Sequence, residues 1–113
     1  MSGDPQWRRW EARVNELLGL QPTPASGARW HAIGDGADND PDSRFALMVD
    51  CKATERVSFS LRARDLAQWV RRAAECGRRF AMPIRFHGGP HPGDYILLEI
   101  NDFAELLELA RKN

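Results

Sequence analysis

Phe45-Ala46-Leu47-Met48-Val49-Asp50-Cys51-Lys52-Ala53 begins as an apolar run and ends on an acid and a cation two positions apart. A short continuous apolar run bounded by turn signals reads as a strand covered on both faces. Side chains at i and i+2 of a strand share a face, so Asp50 and Lys52 point together and Cys51 points to the opposite, apolar side. An acid and a cation at the end of a hydrophobic strand are costly to bury unless paired or bound to something. Taken alone, the triplet also fits a solvated strand end with an ordinary surface ion pair.

Working outward from this strand, residues 56–59 extend the sheet and Ser60 caps a helix over 60–76 that Gly77 ends. That helix turns Leu66, Trp69, Val70 and Ala73 to one face. Strands over 80–86 and 95–100 follow, joined by His87-Gly88-Gly89-Pro90-His91-Pro92-Gly93-Asp94. The two histidines flank glycines and a proline, which forbid the helix that would align them as metal ligands. Asp102 with Glu105 forms a capping box for a last helix through Arg111, with Phe103, Leu106, Leu107 and Ala110 inward.

Upstream, a helix over 6–18 carries the stripe Trp7, Trp10, Val14, Leu17 and Leu18, with Asp4 as its cap and Pro5 in its first turn. Residues 21–27 break it, 28–33 form a short strand, and 34–43 are an acidic, turn-rich loop. The order αββ(β)αββα has no repeat or linker. It predicts a single α/β domain over 1–113, a mixed central sheet flanked by helices.

Composition narrows the function classes. At 113 residues, 42% hydrophobic and 28% charged, the chain is neither disordered nor long enough in apolar runs to span a membrane. The N-terminus lacks the apolar core of a secretory signal, and two cysteines are too few for a disulfide framework, so a cytoplasmic location is expected. Sixteen basic and sixteen acidic residues cancel, so bulk charge does not announce a nucleic-acid partner. Of the basic residues only Lys52 and Lys112 are lysine; the rest are arginine, the better bidentate partner for phosphate.

Two further features join the Asp50-Cys51-Lys52 triplet. Asp35, Asp38, Asp40 and Asp42 crowd one loop, and a divalent cation relieves such repulsion; oxygen-only donors select Mg²⁺, Mn²⁺ or Ca²⁺. A solvated acidic turn is the plainer alternative. Glu11 falls on the apolar stripe of the first helix, a broken local rule of the kind that concentrates at functional sites, although pairing with Arg8 or Arg9 also accounts for it. Cys51, with no histidine partner in view, reads as a small core residue rather than a nucleophile.

A helix with an inward glutamate, an acidic turn with a literal Pro41-Asp42, and an Asp-x-Lys strand end together resemble the PD-(D/E)XK nucleases. The downstream segments Asp50-Cys51-Lys52-Ala53-Thr54, Ser58-Phe59-Ser60-Leu61, Ala73-Ala74-Glu75-Cys76-Gly77-Arg78 and Pro83-Ile84-Arg85-Phe86 are similar to the archaeal and phage Holliday junction resolvase branch. The resemblance spans roughly residues 6–108 and departs from that branch in having aspartate, not glutamate, at 50.

It implies a restriction-endonuclease-like core and Mg²⁺-dependent phosphodiester hydrolysis, with Mn²⁺ as a substitute. Glu11, Asp40, Asp50 and Lys52 would be catalytic. The metal would sit on Asp40, Asp50, Glu11 and the Cys51 carbonyl. Asp40 is preferred over Asp42 because the ten residues to Asp50 accommodate a turn around 42–44. Lys52 would orient or deprotonate the attacking water, a task an ever-protonated guanidinium cannot take over. Arg8, Arg9, Arg62 and Arg64 would contact DNA. A four-way junction needs two matched cuts, so a C₂ homodimer follows, held by helical aromatics (Trp7, Trp10, Trp69, Phe103). The host-cell cytoplasm is the location if the chain is phage-encoded. A nicking, flap or restriction-type nuclease and a non-catalytic DNA-binding module are the alternatives.

Overall fold

A computed structural model describes residues 6–23 and 35–112. The strand expected over 28–33 and the cap at Asp4 and Pro5 lie outside these residues. Helix α1 (Gln6–Leu18) turns Trp10 and Val14 into the interior. It stops where Gly19 takes φ 69° and the Leu20 N–H donates to the Asn15 carbonyl, a left-handed C-terminal cap. Two short strands, β1 (Gln21–Pro22) and β2 (Gly36–Ala37), pair antiparallel.

The apolar run forms β3 (Leu47–Val49) and β4 (Lys52–Thr54), not one unbroken strand. Both run parallel to β5 (Arg79–Phe86), with Leu47 opposite Arg79 and Lys52 opposite Ile84. The offset is the same for both, so β3 and β4 are two halves of one line of chain interrupted at Asp50–Cys51. On its other flank β5 pairs antiparallel with β6 (Gly93–Leu98). The sheet is mixed, as expected, with β2 antiparallel to β3.

Residues 56–59 do not extend the sheet, and Ser60 does not cap α2 (Ala63–Glu75). The cap position is Arg62, whose side chain makes no capping bond, because the chain leaves β4 through a longer loop than the serine reading allows. Gly77, at φ 73°, closes α2 as read from sequence, with the Arg78 N–H reaching back to the Ala73 carbonyl. The last helix, α3 (Ile100–Arg111), is capped three residues earlier than expected, since the Glu99 carboxylate accepts from the Asn101 and Asp102 N–H groups. Glu105, freed from the expected capping box, grips the Arg79 guanidinium instead.

The sheet's two faces carry two apolar clusters. Met48, Phe80, Met82 and Ile84 pack under α2 with Leu66, Trp69 and Val70, as the helix stripe requires. Val49 and Ala81 pack under α1 with Trp10 and Val14, and Cys51 and Ala53 join them. The aromatic residues divide accordingly. Trp10 is 4% exposed and Trp69 stacks on Phe80 with centroids 5.4 Å apart, so both serve the core rather than a surface. Trp7 and Phe103 do lie at the surface, 51% and 46% exposed, and α3 buries no residue among those described.

Candidate functional site

Alternation along the strand line puts Asp50 and Lys52 on one face, and the structure keeps them there: Lys52 Nζ is 3.0 Å from Asp50 Oδ2. Asp50 is 8% exposed, so its carboxylate is buried and meets the Lys52 ammonium as an ion pair. A buried carboxylate is costly unless it is paired, and the Lys52 ammonium is its partner here.

The register of β2 supplies the next carboxylate. Gly36 pairs with Val49, and the Asp35 N–H donates to the Val49 carbonyl, so Asp35 arrives opposite Asp50 at the end of the ladder. Asp35 Oδ2 accepts the Cys51 N–H at 2.7 Å, filling the edge that β2 leaves open beyond Gly36. Burial and the neighbouring Asp50 carboxyl raise the Asp35 pKa above its ordinary 3.8, against the Cys51 N–H and Lys52, which lower it. Glu11 comes from α1, across the apolar face that holds Cys51. Burial first, then Asp35 and Asp50, raise it above 4.5, while Arg8 pulls it down. Burial and the same three carboxylates push the Cys51 thiol far up, which keeps it protonated at neutral pH and consistent with a core role.

Asn15, one turn along α1 from Glu11, positions this edge. Its Nδ2 donates to the Asp35 carbonyl at 3.3 Å, and its amide fills the space over Gly36 so closely that a Cβ there would collide with it. Its sequence signal is a polar residue on the apolar stripe, four positions after Glu11.

The structure places Lys52 against Asp50 and Asp35 on the neighbouring Cys51 N–H, and Glu11 feels the charge of Asp35 and Asp50 from α1. It does not bring Asp40 or Asp42 to this group. Both sit at the far end of the hairpin, where Ser43 N–H donates to the Asp40 carbonyl and the Asp42 N–H to Asp40 Oδ1. The Asp38 carboxylate is taken by the Asp40 N–H and the Ser43 hydroxyl, and Arg78 clamps the Asp38 carbonyl and Asn39. The acidic turn is thus satisfied by its own hydrogen bonds and an arginine. The physical reason for the shift is symmetry: residues equidistant from a hairpin's centre meet, and a hairpin with Gly36 opposite Val49, centred between residues 42 and 43, brings Asp35, not Asp40, opposite Asp50.

Among the arginines, Arg8 lies near Glu11 with its guanidinium over the Trp7 ring at 5.1 Å. Arg9 is exposed on the same helix. Arg62 lines a cleft of about 190 Å³ with Lys52, Ser60, Gln68 and Trp69. Arg64 turns toward Asp65 at 3.7 Å.

The donor set of Glu11, Asp35 and Asp50 is all oxygen and mutually repulsive. Such a set fits a hard divalent cation. No group of three or more His, Cys, Asp or Glu among the described residues is already arranged to hold one, and it is the Lys52 ammonium that meets Asp50.

No family model and no curated protein sequence matches the chain. Its fold matches a solved structure of Hjc, a Holliday junction resolvase from the archaeal hyperthermophile Archaeoglobus fulgidus. The TM-score is 0.61 at 17% identity, over 80% of this chain and 73% of that one. The α/β architecture expected from sequence is therefore shown, and with it the likeness to the resolvase branch at the level of fold.

Proposed function

We propose that this chain is a PD-(D/E)XK nuclease domain that cuts DNA as a divalent-metal-dependent, structure-specific endonuclease and resolves four-way junctions by paired nicks as a homodimer. The observation that carries the proposal is the placing of Asp35, Asp50 and Lys52 at the interrupted strand of a resolvase-like fold, with Glu11 feeling the two aspartates from α1. Asp35, Asp50 and Glu11, with the Cys51 carbonyl, would hold Mg²⁺ or Mn²⁺. When bound, such an ion supplies Lewis-acid polarisation of the scissile phosphate.

The chain's own residues do the rest. Asp35 holds the Cys51 N–H and so fixes the backbone beside Asp50. Lys52, held beside Asp50, orients the attacking water and offsets negative charge that grows on the phosphate. Water oxygen joins phosphorus as the bond to the leaving sugar oxygen breaks; the water proton passes to solvent and the leaving oxygen takes one from solvent, while the Lys52 ammonium stays charged. Arg8, Arg9, Arg62 and Arg64 are assigned to the phosphates of flanking duplex, where arginine's fork suits the geometry. No helix of the described residues is long and apolar enough to cross a membrane, and the proposed place of action is the cytoplasm.

The test is a set of synthetic four-way junction, flap and linear duplex substrates, each with and without Mg²⁺. Paired, symmetric, Mg²⁺-dependent nicks in the junction alone support the full reading. Cleavage of flap or duplex in preference makes it a different nuclease on this scaffold. Junction binding without cleavage makes it a non-catalytic DNA module.

A further inference from the structure

The interruption at Asp50–Cys51 has a cause on the neighbouring strand. In β5 the odd-numbered residues send their backbone groups toward the β3–β4 line. Arg79 N–H donates to the Ala46 carbonyl at 2.8 Å, the Ala81 carbonyl accepts from Asp50 N–H at 3.2 Å, and His87 N–H donates to the Thr54 carbonyl at 3.0 Å. In this parallel ladder the Asp50 carbonyl falls opposite the backbone nitrogen of residue 83. Residue 83 is proline, buried in the middle of β5, and proline has no N–H. An interior proline is unusual in a strand flanked on both sides, since it removes a ladder bond. Here the removed bond is the one that would close the strand at the site.

On the opposite edge the Cys51 N–H is held by the Asp35 carboxylate rather than by a strand. The Asp50–Cys51 peptide is therefore tied to one side chain in place of two ladders. We infer that Pro83 is a positioning residue: by withholding one N–H from the Asp50 carbonyl it keeps the strand open there, so that the Asp50 carboxylate, the Cys51 N–H and the Asp35 carboxylate meet. The functional consequence rests on the nuclease reading; the backbone consequence does not. A residue at 83 that supplies the N–H lets β3 and β4 fuse, turns the Asp50–Cys51 peptide and draws the Cys51 N–H away from Asp35.

Three forms of the full chain test this. Pro83→Ala and Pro83→Val restore the N–H, the second also keeping most of the side-chain volume next to Trp10 in the groove under α1. The third carries lactic acid at 83, the ester counterpart of alanine, which has alanine's shape but no N–H. The first readout is the Cys51 amide resonance in the metal-free protein. In the wild type and the ester form it lies downfield, as its hydrogen bond to the Asp35 carboxylate requires; in Pro83→Ala and Pro83→Val it moves upfield and the residue 83 amide is protected from exchange. The second is kcat for junction cleavage, which falls about 10–100-fold in the two N–H variants, as for other groups that orient metal ligands, with KM unchanged and activity retained in the ester form. If Pro83→Ala and the ester form behave alike in the amide readout, the N–H is irrelevant and the inference is wrong. If the wild type cuts nothing, the nuclease reading fails, and the amide readout still decides the role of Pro83.

Discussion

Gly36→Ala puts a methyl group where the Asn15 amide already lies, since an ideal Cβ there overlaps the Asn15 side-chain oxygen and carbon. Asn15 is buried beneath β2 and cannot swing away without losing its hydrogen bond to the Asp35 carbonyl. Overpacking of this kind costs about 1–3 kcal/mol, and the lost hydrogen bond about 1 kcal/mol of that. For a chain of this size the loss corresponds to a Tm lower by roughly 4–15 °C. Because Asp35 is the adjacent residue, its carboxylate shifts relative to Asp50, so cleavage falls by more than the folded fraction does. Asn15→Ala removes the obstruction together with a buried oxygen that has no hydrogen-bond partner. The double variant therefore recovers most of the lost Tm, with a coupling of about 1 kcal/mol or more in a double-mutant cycle. The assay is thermal unfolding of the four proteins followed by circular dichroism. A neutral Gly36→Ala, or additive single effects, would refute the claim that Asn15 and Gly36 set the height of β2 against α1.

Other consequences are equally direct. Asp50→Asn and Lys52→Arg each remove Mg²⁺-dependent cleavage while leaving junction binding by gel shift near wild type, because the first loses the charge that holds a cation and the second loses a compact ammonium. Burial and neighbouring carboxyls raise Asp35 and Glu11, so the metal-free protein has their protonated forms' stability below the ordinary carboxylate range and loses it as pH rises through the raised values. Asp35→Asn therefore raises Tm at about pH 8 and changes it little at about pH 4. In the wild type, Mg²⁺ at a hundred times its Kd adds about 2.7 kcal/mol at the higher pH only. Sedimentation equilibrium should give a dimer of twice the 12.8 kDa chain without DNA or metal. Trp7 and Leu17 on α1 and Tyr95 and Ile96 on β6 supply exposed apolar surface for it. Monomers at all concentrations, with or without a junction, would remove the paired-cut mechanism.

The helices and the long strand β5 were legible because each is long enough to show its pattern. The α2 stripe of Leu66, Trp69, Val70 and Ala73 packs as written, and the boundaries of α1 match its pattern. The i, i+2 rule placed Asp50 beside Lys52, since it depends only on strand geometry. What sequence reading missed was short or non-local. A two-residue strand at 36–37 has no period, so the hairpin's register, and with it Asp35, could be found only by knowing that the hairpin is centred between residues 42 and 43. Glu99 outcompeted Asp102 as a cap because Arg79, distant in sequence, claims Glu105. The strand break at Asp50–Cys51 is set by Pro83, thirty-odd residues away, through a hydrogen bond that cannot form.

The central claim is that the acid opposite Asp50 in the hairpin, not the one at its turn, completes a DNA-cutting site. Mg²⁺-dependent cleavage of a synthetic four-way junction by wild type, Asp35→Asn and Asp40→Asn, at equal folded concentration, measures it most directly. The account predicts a wild type that nicks the junction, an Asp40→Asn form within about twofold of it, and an Asp35→Asn form slower by about 100-fold or more, as for loss of a first metal ligand. Equal cleavage by the two variants, or loss in Asp40→Asn with Asp35→Asn active, would contradict it.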